Sequence, residues 1–309
     1  MAHVRGLHHV TLLASSAPGT DRFLRSDLGL ARVKRTVNAD RPDAYHLIYG
    51  DAAGAAGTLV TVHPFANLAR GRPGMGEIGD LAFAVGVGST SDWRDRVQSL
   101  GRPADPVVRH FDRNRLGIEG PDGERIMLQV DPQDPRPPRP LPFDGRSGLR
   151  GLHSVSIRVR DGEPVARLLA TLGYAVAGTD GNVERHSVVA QGASACAIDI
   201  QEIGDAPDAV MGAGSVHHAA FAVDGADALR EMREALSEAG IEPGTIGDRT
   251  YFDSFFFRGP EGLLFEVATA PTNFAADEDP ARLGETLALP HELEGERSAI
   301  ETRLEPLGD

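Results

Sequence analysis

The segment His218-Ala-Ala-Phe-Ala-Val223 decides the fold, because three other stretches of the chain share its pattern. They are His9-Val-Thr-Leu-Leu13, Asp80-Leu-Ala-Phe-Ala-Val85 and His153-Ser-Val-Ser-Ile-Arg-Val159, and their first residues lie 71, 73 and 65 positions apart. Apolar and β-branched residues dominate each segment, which is typical of strands. Similarity at such a period indicates one structural unit that occurs four times.

The residues that follow each segment complete the unit. Helical patterns come first, at 18–30, 89–101, 162–174 and 225–240, and Gly29 and Gly173 suit helix C-caps. Short apolar runs then follow, and two of them enclose the hairpin-like turns PDGE (121–124) and PEGL (260–263). The sequence therefore predicts an α+β fold of four βαβββ modules.

A proline-rich stretch divides the chain into two halves of similar size. Residues 131–148, DPQDPRPPRPLPFDGRSG, contain six prolines, which exclude a helix or a central strand. The predicted organisation is an N-terminal pair of modules at 1–130, a linker at 131–148, a C-terminal pair at 149–270 and a tail at 271–309. With 309 residues, 41% of them hydrophobic, the chain can bury a large core.

Charge and cysteine content limit the classes of partner. A net charge of -14 disfavours contact with phosphate backbones, so we expect no nucleic-acid partner. No run approaches the 18 or so apolar residues of a membrane span, and the first residues, MAHVRGLHHV, lack the apolar core of a signal peptide. The single cysteine, Cys196, lies in an apolar run and cannot form an internal disulfide. These features predict a cytoplasmic protein without membrane contact.

The first and last strands of each module supply the candidate metal ligands. The first-strand positions are His9, Asp80, His153 and His218, and the matching last-strand positions are Thr61, Gln129, Asp199 and Glu266. Two histidines with one carboxylate, leaving coordination positions open, are a known arrangement for non-haem iron(II). Spacing permits His9, His218 and Glu266 if modules one and four pair, or His153, His218 and Glu266 if modules three and four pair. The third interpretation is that these are ordinary strand residues, although Glu266 in the apolar run LLFEV needs a cation to offset its burial.

The whole set of motifs resembles the vicinal oxygen chelate superfamily, whose modules form paired open barrels. Within it, the chain is most similar to hydroquinone ring-cleaving dioxygenases. The motifs that carry the resemblance run from residue 7 to about 290: LHHVTL, LGLARVKRTVN, YHLIYGD, GTLVTVHP, GRPGMGE, VHHAAFAV, DRTYFDS, GPEGLLFEVAT and FAADEDPARLGETLALP.

The resemblance implies which residues carry the chemistry. It selects His9, His218 and Glu266 as ligands of Fe(II), with Mn(II) as the alternative metal. It also gives His217, His8 and Arg249 catalytic roles. Alternating strand geometry would instead place the two histidines outside the cup, so their predicted roles require a local bend in each strand.

The substrate-binding residues implied are Thr11, Arg249 and Phe256. Related dioxygenases usually have tyrosine at the position of Phe256 and often arginine at that of Asp253, so we expect a phenolic substrate that differs from simple hydroquinone. His46 is predicted to be a core histidine.

The predicted function is ring cleavage of a hydroquinone-like or other phenolic aromatic by O2, in a chain that we expect to form a homo-oligomer. A glyoxalase-like metal-dependent lyase or isomerase is one alternative. A non-catalytic aromatic-drug-binding protein is another. The exact substrate and the physiological metal stay open at this point.

Overall fold

The computed structural model describes residues 3–38, 41–140, 147–188, 197–270 and 274–307. Within these ranges, each repeat folds as a strand, a helix and three further strands. The four βαβββ modules predicted from the sequence are therefore confirmed. Cys196 lies outside the described residues.

The strands are β1 Leu7–Ala14, β2 Ala31–Val37, β3 Tyr45–Gly50, β4 Leu59–Pro64, β5 Glu77–Val85, β6 Val108–His110, β7 Arg113–Glu119, β8 Arg125–Val130, β9 Gly151–Val159, β10 Ala175–Asp180, β11 Val183–Ser187, β12 Ala197–Glu202, β13 Val216–Val223, β14 Gly247–Asp248, β15 Asp253–Arg258 and β16 Leu264–Thr269. The helices are α1 Ala17–Arg22, α2 Ser89–Ser99, α3 Glu163–Leu172, α4 Gly225–Glu238 and α5 Arg297–Arg303. A π-helical turn, Phe23–Asp27, extends α1.

Local sequence accounts for where the helices begin and end. The hydroxyl of Ser16 accepts a hydrogen bond from the amide of Gly19 and caps α1, which has Pro18 in its first turn. Gly29 and Gly173, the two predicted caps, have positive φ angles of 78° and 96°. Glycine adopts this left-handed conformation without the steric cost that a Cβ atom adds.

The strands form two curled eight-stranded sheets. The first has the order β14-β15-β16-β13-β1-β4-β3-β2, and the second has the order β10-β11-β12-β9-β5-β8-β7-β6. Modules one and four therefore share one sheet, and modules two and three share the other. At the middle of each sheet the two first strands pair antiparallel, β1 with β13 and β5 with β9.

Each sheet thus takes one module from either side of the proline-rich stretch. The boundaries 1–130, 131–148, 149–270 and 271–309 stay a prediction, and the two halves of the chain are not the two sheets. The guanidinium of Arg136 donates hydrogen bonds to the carbonyl oxygens of Gly57 in module one and Leu152 in module three. The described part of the stretch is therefore fixed to both sheets.

Two apolar clusters organise the molecule. The larger one joins the convex faces of both sheets to the helices and includes Leu47, Val62, Phe221 and Phe265. The smaller cluster lies on the same face of the first sheet as Glu266. It consists of Val33, Ile48, Leu59, Tyr251, Phe252, Ala268 and Phe274. We call this concave face the first cup, and the corresponding face of the second sheet the second cup.

The C-terminal tail packs against the first cup. Phe274 belongs to its apolar cluster, and the ammonium group of Lys34 on β2 lies 2.6 Å from Asp277 and 2.5 Å from Glu278. The same ammonium lies 4.7 Å from the centre of the Tyr251 ring. In the described part of the chain, no helix is long and apolar enough to span a membrane.

Candidate active site

The three predicted metal ligands meet on neighbouring strands of the first cup. His9 lies on β1, His218 on β13 and Glu266 on β16, in the part of the sheet where β16, β13 and β1 are adjacent. The two histidine Nε2 atoms are 3.2 Å apart, and Glu266 Oε2 lies 3.1 Å from that of His9 and 3.0 Å from that of His218. All three side chains are buried.

This triangle of donor atoms has the dimensions of one face of a metal coordination octahedron. Nitrogen and oxygen ligands bind divalent transition metals at about 2.1 Å, and at angles near 90° adjacent donors then lie about 3.0 Å apart. The observed edges of 3.0, 3.1 and 3.2 Å match this spacing. The donor set and its geometry therefore fit a divalent metal ion.

The charges of the site are strongly coupled. Burial alone would raise the pKa of Glu266, but the neighbouring His9 and His218 outweigh it and hold that pKa well below its usual range. Burial lowers the pKa of His218, although Glu266 opposes the shift. A buried anionic carboxylate beside two imidazoles is a site that a cation would stabilise.

Thr11 contacts one of the candidate ligands. Its hydroxyl lies 2.9 Å from His218 Nε2 and 2.6 Å from the hydroxyl of Thr61 on β4. Thr61 is the module-one residue that corresponds to Glu266 of module four. The position where a second carboxylate would stand therefore carries a neutral hydroxyl.

His8 and His217 sit at breaks in the strand register. The pairing of β1 with β13 shifts between Leu7 and His9, and again opposite His217, where Thr11 pairs with His218 but Leu12 pairs with Val216. Such β-bulges remove the strict alternation of side chains. The local bends that the predicted roles require are present in both strands.

The bulges bring each of these histidines against a candidate ligand. The Nδ1 atoms of His8 and His9 are 2.8 Å apart, and so are those of His217 and His218. Burial, reinforced by the adjacent imidazole, lowers the pKa of His8 to about 3 and that of His217 to about 4. Both are therefore neutral near pH 7 and can accept a hydrogen bond at Nδ1.

Arg249 and Phe256 lie on the β15 side of the site. Phe256 is directly opposite Glu266 in the sheet, and its ring lies edge-on to His218 at 5.1 Å between centres. The guanidinium carbon of Arg249 is 5.2 Å from the centre of the Phe256 ring, and its Nε donates a hydrogen bond to Ser254. The positive charge of Arg249 contributes to lowering the His218 pKa.

Asp253 begins the same strand, and its amide donates a hydrogen bond to the hydroxyl of Thr269.

The sequence did not point to Phe252 as a residue of the site, and it placed His46 in the core although the His46 side chain faces the cup. The ring of Phe252 lies 4.9 Å from His8 and 5.8 Å from His9, and so holds both imidazoles from one side. His46 stacks with His63 at 4.5 Å, and its pKa falls to about 4 through burial and the charge of His9. The signal that could have found His46 was its alternation with the core residues Leu47 and Tyr49, which places it on the cup side of β3.

The alternative ligand set with His153 does not form. His153 lies on β9 of the second sheet, whereas His218 lies on β13 of the first. The register also corrects the alignment: Ser154 pairs with Ala82 where His218 pairs with Thr11, so Ser154 is the counterpart of His218. By the same reasoning, Met127 and not Gln129 corresponds to Thr61, since Met127 pairs with Ala82.

Comparison with known proteins places this site in a family. None of the family models compared with the chain matches it. A Bacillus subtilis protein provisionally named ring-cleaving dioxygenase MhqA is 31% identical over 313 residues, which cover 98% of this chain and 99% of the relative. The chlorohydroquinone/hydroquinone 1,2-dioxygenase of Sphingobium indicum is 31% identical over 310 residues, 96% of this chain and 95% of that one. The chain belongs to the ring-cleaving dioxygenases of the vicinal oxygen chelate superfamily.

Solved structures agree with this family. A dioxygenase of provisional assignment from Bacillus subtilis superposes with a TM-score of 0.93 at 27% identity, over 100% of this chain and 99% of that one. Glyoxalase I from Zea mays superposes with a TM-score of 0.65 at 13% identity, over 85% and 92% of the two chains. At this low identity, the similarity to glyoxalase I shows only that the two folds are alike. The predicted superfamily and its paired open barrels are confirmed.

Proposed function

We propose that the chain is an Fe(II)-dependent ring-cleaving dioxygenase of the extradiol type that acts on a hydroquinone-like phenol. The observation that carries the proposal is the triangle of His9 Nε2, His218 Nε2 and Glu266 Oε2, with edges of 3.0 to 3.2 Å. In the overall reaction the ring takes up both atoms of O2. The bond between the hydroxyl-bearing carbon and its neighbour breaks, leaving a carboxylic acid on one carbon and an aldehyde on the other.

His9, His218 and Glu266 would hold the metal, and His8 and His217 would set the orientation of the two imidazoles. Because His8 and His217 are neutral, each can accept a hydrogen bond from the Nδ1–H group of the adjacent ligand histidine. Each ligand then presents an unprotonated Nε2 to the shared centre. Metal-bound histidines usually donate their second N–H group to a carboxylate or a carbonyl oxygen, and here a neutral imidazole takes that place. A bound Fe(II) supplies the electron transfer that lets O2 react with a closed-shell phenol.

Four further residues would bind the substrate: His217, Arg249, Thr11 and Phe252. Because its Nδ1 accepts a hydrogen bond from His218, the neutral His217 carries its proton at Nε2 and would donate a hydrogen bond from there to the substrate oxygen. Arg249 supplies a fixed positive charge beside Phe256 that would stabilise the phenolate. The Thr11 hydroxyl, 2.9 Å from His218 Nε2, would contact the substrate, and Phe252, which packs against His8, would shield the histidine side of the cup from water.

Two other activities fit the site less well. A glyoxalase-like lyase or isomerase needs a further ligand or carboxylate base, and Thr61 offers a hydroxyl already bonded to Thr11. A binding protein that holds an aromatic drug has no use for a buried His-His-Glu set. Dioxygenase chemistry requires the three ligands and open coordination positions, which is why we favour it.

The test combines metal content with oxygen uptake. Protein loaded with Fe(II) under anaerobic conditions should bind about one ion per chain and consume O2 with para-diols faster than with catechols. Replacing His9, His218 or Glu266 with alanine should abolish both signals, and His153→Ala, on the second sheet, should keep both. Metal retention in His9→Ala, or no oxygen uptake with any phenol by the fully loaded protein, would contradict the proposal.

A further inference from the structure

A further pair of histidines faces the first cup beside the candidate metal ligands. His46 on β3 and His63 on β4 stack, with their ring centres 4.5 Å apart. Ile48 pairs with Thr61, so His46 and His63, each two residues away from that pair, leave the same face of the sheet. The Thr61 hydroxyl contacts that of Thr11, which reaches the ligand histidine on β13. The pair therefore continues the wall that begins at the candidate metal site.

The position of His46 brings it within reach of an aromatic ring bound at the metal centre. It lies two residues along and one strand across from Thr61, which strand geometry puts at about 7 Å and about 5 Å. The charges of all three candidate ligands act on the pKa of His46, so its imidazole faces the centre that they share. In the sheet, β3 and the Phe256 strand β15 lie on opposite sides of the three ligand strands. His46 therefore bounds the site on the side away from Phe256.

The two stacked rings differ in their hydrogen bonds. The side-chain oxygen of Asn38 accepts a hydrogen bond from the amide of Arg41 at 3.1 Å, so its amide nitrogen donates to His63 Nδ1 at 3.3 Å. His63 is thereby fixed from outside the cup. Among the described residues, the His46 ring has its stacking contact but no hydrogen-bond partner, and it is only partly buried. The nitrogens of His46 are therefore available to a ligand in the cup.

The charge state of His46 limits what it can bind. Burial and the charge of His9 lower its pKa to about 4, so His46 is neutral near pH 7. A divalent cation at the neighbouring centre would add positive charge and lower this pKa further. A neutral imidazole has one N–H donor and one acceptor nitrogen, and a hydroxyl group likewise donates one hydrogen bond and accepts others. Of the groups that an aromatic substrate carries, a hydroxyl uses this pattern most fully.

We propose that His46 binds the second hydroxyl group of a para-diol, on the side of the ring away from the metal, and that His63 is a positioning residue for the His46 ring. The inference rests on the proposed function and names the group that selects its substrate class. In a catechol the two hydroxyls are on adjacent carbons, so both lie near the metal and neither reaches His46.

Hydroquinone and phenol are the probes, because phenol lacks only the second hydroxyl. In calorimetric titrations of the full-length, Fe(II)-loaded protein without oxygen, hydroquinone should bind about 3- to 10-fold more tightly than phenol, as one net hydrogen bond provides. His46→Phe keeps a ring beside His63 and should bring this ratio to about one, with the phenol affinity unchanged. His46→Gln, whose amide donates and accepts, should keep part of the preference. The control His291→Phe, at an exposed histidine, should leave the ratio as in the parent.

The role of His63 is tested through the ring that it supports. His63→Leu removes the stacked ring and should lower the preference for hydroquinone over phenol about 2- to 5-fold, whereas His63→Phe retains a ring and should restore it. With oxygen present, His46→Phe should lower kcat/KM for hydroquinone relative to that for catechol about 3- to 10-fold. The binding ratio needs no turnover, so failure of the proposed ring cleavage and failure of the His46 contact are distinguishable.

Equal affinity of the parent for hydroquinone and phenol, or a preference that survives His46→Phe, would overturn the proposal. So would an equal loss of affinity for both probes in His46→Phe, because His46 would then only support the shape of the cup. If His46→Phe does not fold, nitrogen NMR of the parent loaded with Zn(II), which takes the same nitrogen and oxygen ligands, decides. Hydroquinone should shift the ring-nitrogen signals of His46, assigned through His46→Gln, more than phenol does, and equal shifts reject the contact.

Discussion

At position 256, a phenyl ring occupies the place where the resemblance predicts a tyrosine hydroxyl. The structure puts this ring opposite Glu266 and 5.1 Å from His218, so the position faces the candidate active site. Its neighbours Phe255 and Phe257 point to the other face of the sheet and belong to the core. The strand therefore offers one aromatic residue to the site and two matched controls.

We expect Phe256→Tyr to change substrate preference without changing metal content. An added hydroxyl without a partner disfavours apolar ring substituents, so the ratio of kcat/KM for alkyl-substituted hydroquinone to that for hydroquinone should fall about 3- to 10-fold. Phe257→Tyr should leave the ratio unchanged and cost about 1–3 kcal/mol of unfolding free energy, because its hydroxyl would be buried in the core. A Phe256→Tyr variant that matches the parent on every substrate would mean that position 256 does not contact it.

Some residues of the candidate site could be predicted from the sequence, and others could not. The carboxylate of Glu266 in an apolar strand predicted a cation site, and His218 was common to both possible ligand sets. The resemblance to hydroquinone dioxygenases, not the spacing, selected His9 over His153.

His63 lies two residues after Thr61 on β4, so strand alternation places it on the cup side, as it does His46. Phe252 precedes β15, where no alternation applies, and its contact with His8 and His9 depends on three-dimensional packing.

For the strands and helices, the feature that the sequence determined least was the register in which neighbouring strands pair. The repeats and their helices follow from periodicity, but a bulge adds one residue without a sequence signal of its own. The bends at His8 and His217 were expected only from the resemblance, and the structure shows them as bulges. The same limitation displaced the alignment by one residue at His153, where Ser154 takes the cup-facing position.

The C-terminal tail is fixed to β2 through a buried ammonium group. Lys34 is fully buried, and the side chain of its partner Glu278 is only 4% exposed. Lys34→Met keeps the shape of the side chain but leaves Glu278 buried without a counter-charge, which should cost about 3–5 kcal/mol. Urea unfolding measures the loss, and faster proteolysis within 274–307 should accompany it.

Two further variants separate the ion pair from a general effect of mutation. Adding Glu278→Gln to Lys34→Met should recover part of the stability, since the uncompensated charge is removed. Arg282→Met breaks an exposed pair with Glu285, in which the side chains are 67% and 51% exposed, and should cost less than about 1 kcal/mol. If Lys34→Met is no more destabilising than Arg282→Met, the tail is held by its apolar contacts alone.

At the scale of the whole molecule, the two sheets exchange modules across the proline-rich stretch. The central pairs β1–β13 and β5–β9 both join an N-terminal module to a C-terminal one. The same arrangement divides the candidate metal site, because His9 lies before the stretch while His218 and Glu266 lie after it. Neither half of the chain can complete a sheet or the ligand set by itself.

This topology predicts how the chain behaves when it is divided between residues 140 and 147. Fragments 1–140 and 147–309 should each lack cooperative unfolding and bind no stoichiometric Fe(II), because each would expose the central edges of two half-sheets. Mixed in equal amounts, they should form a 1:1 complex that binds about one Fe(II) per pair. Circular dichroism, size-exclusion chromatography and metal analysis of the single and mixed fragments provide the measurement. A fragment 1–140 that unfolds cooperatively by itself would show that modules one and two form a stable unit without their partners, and would contradict the pairing on which the candidate site depends.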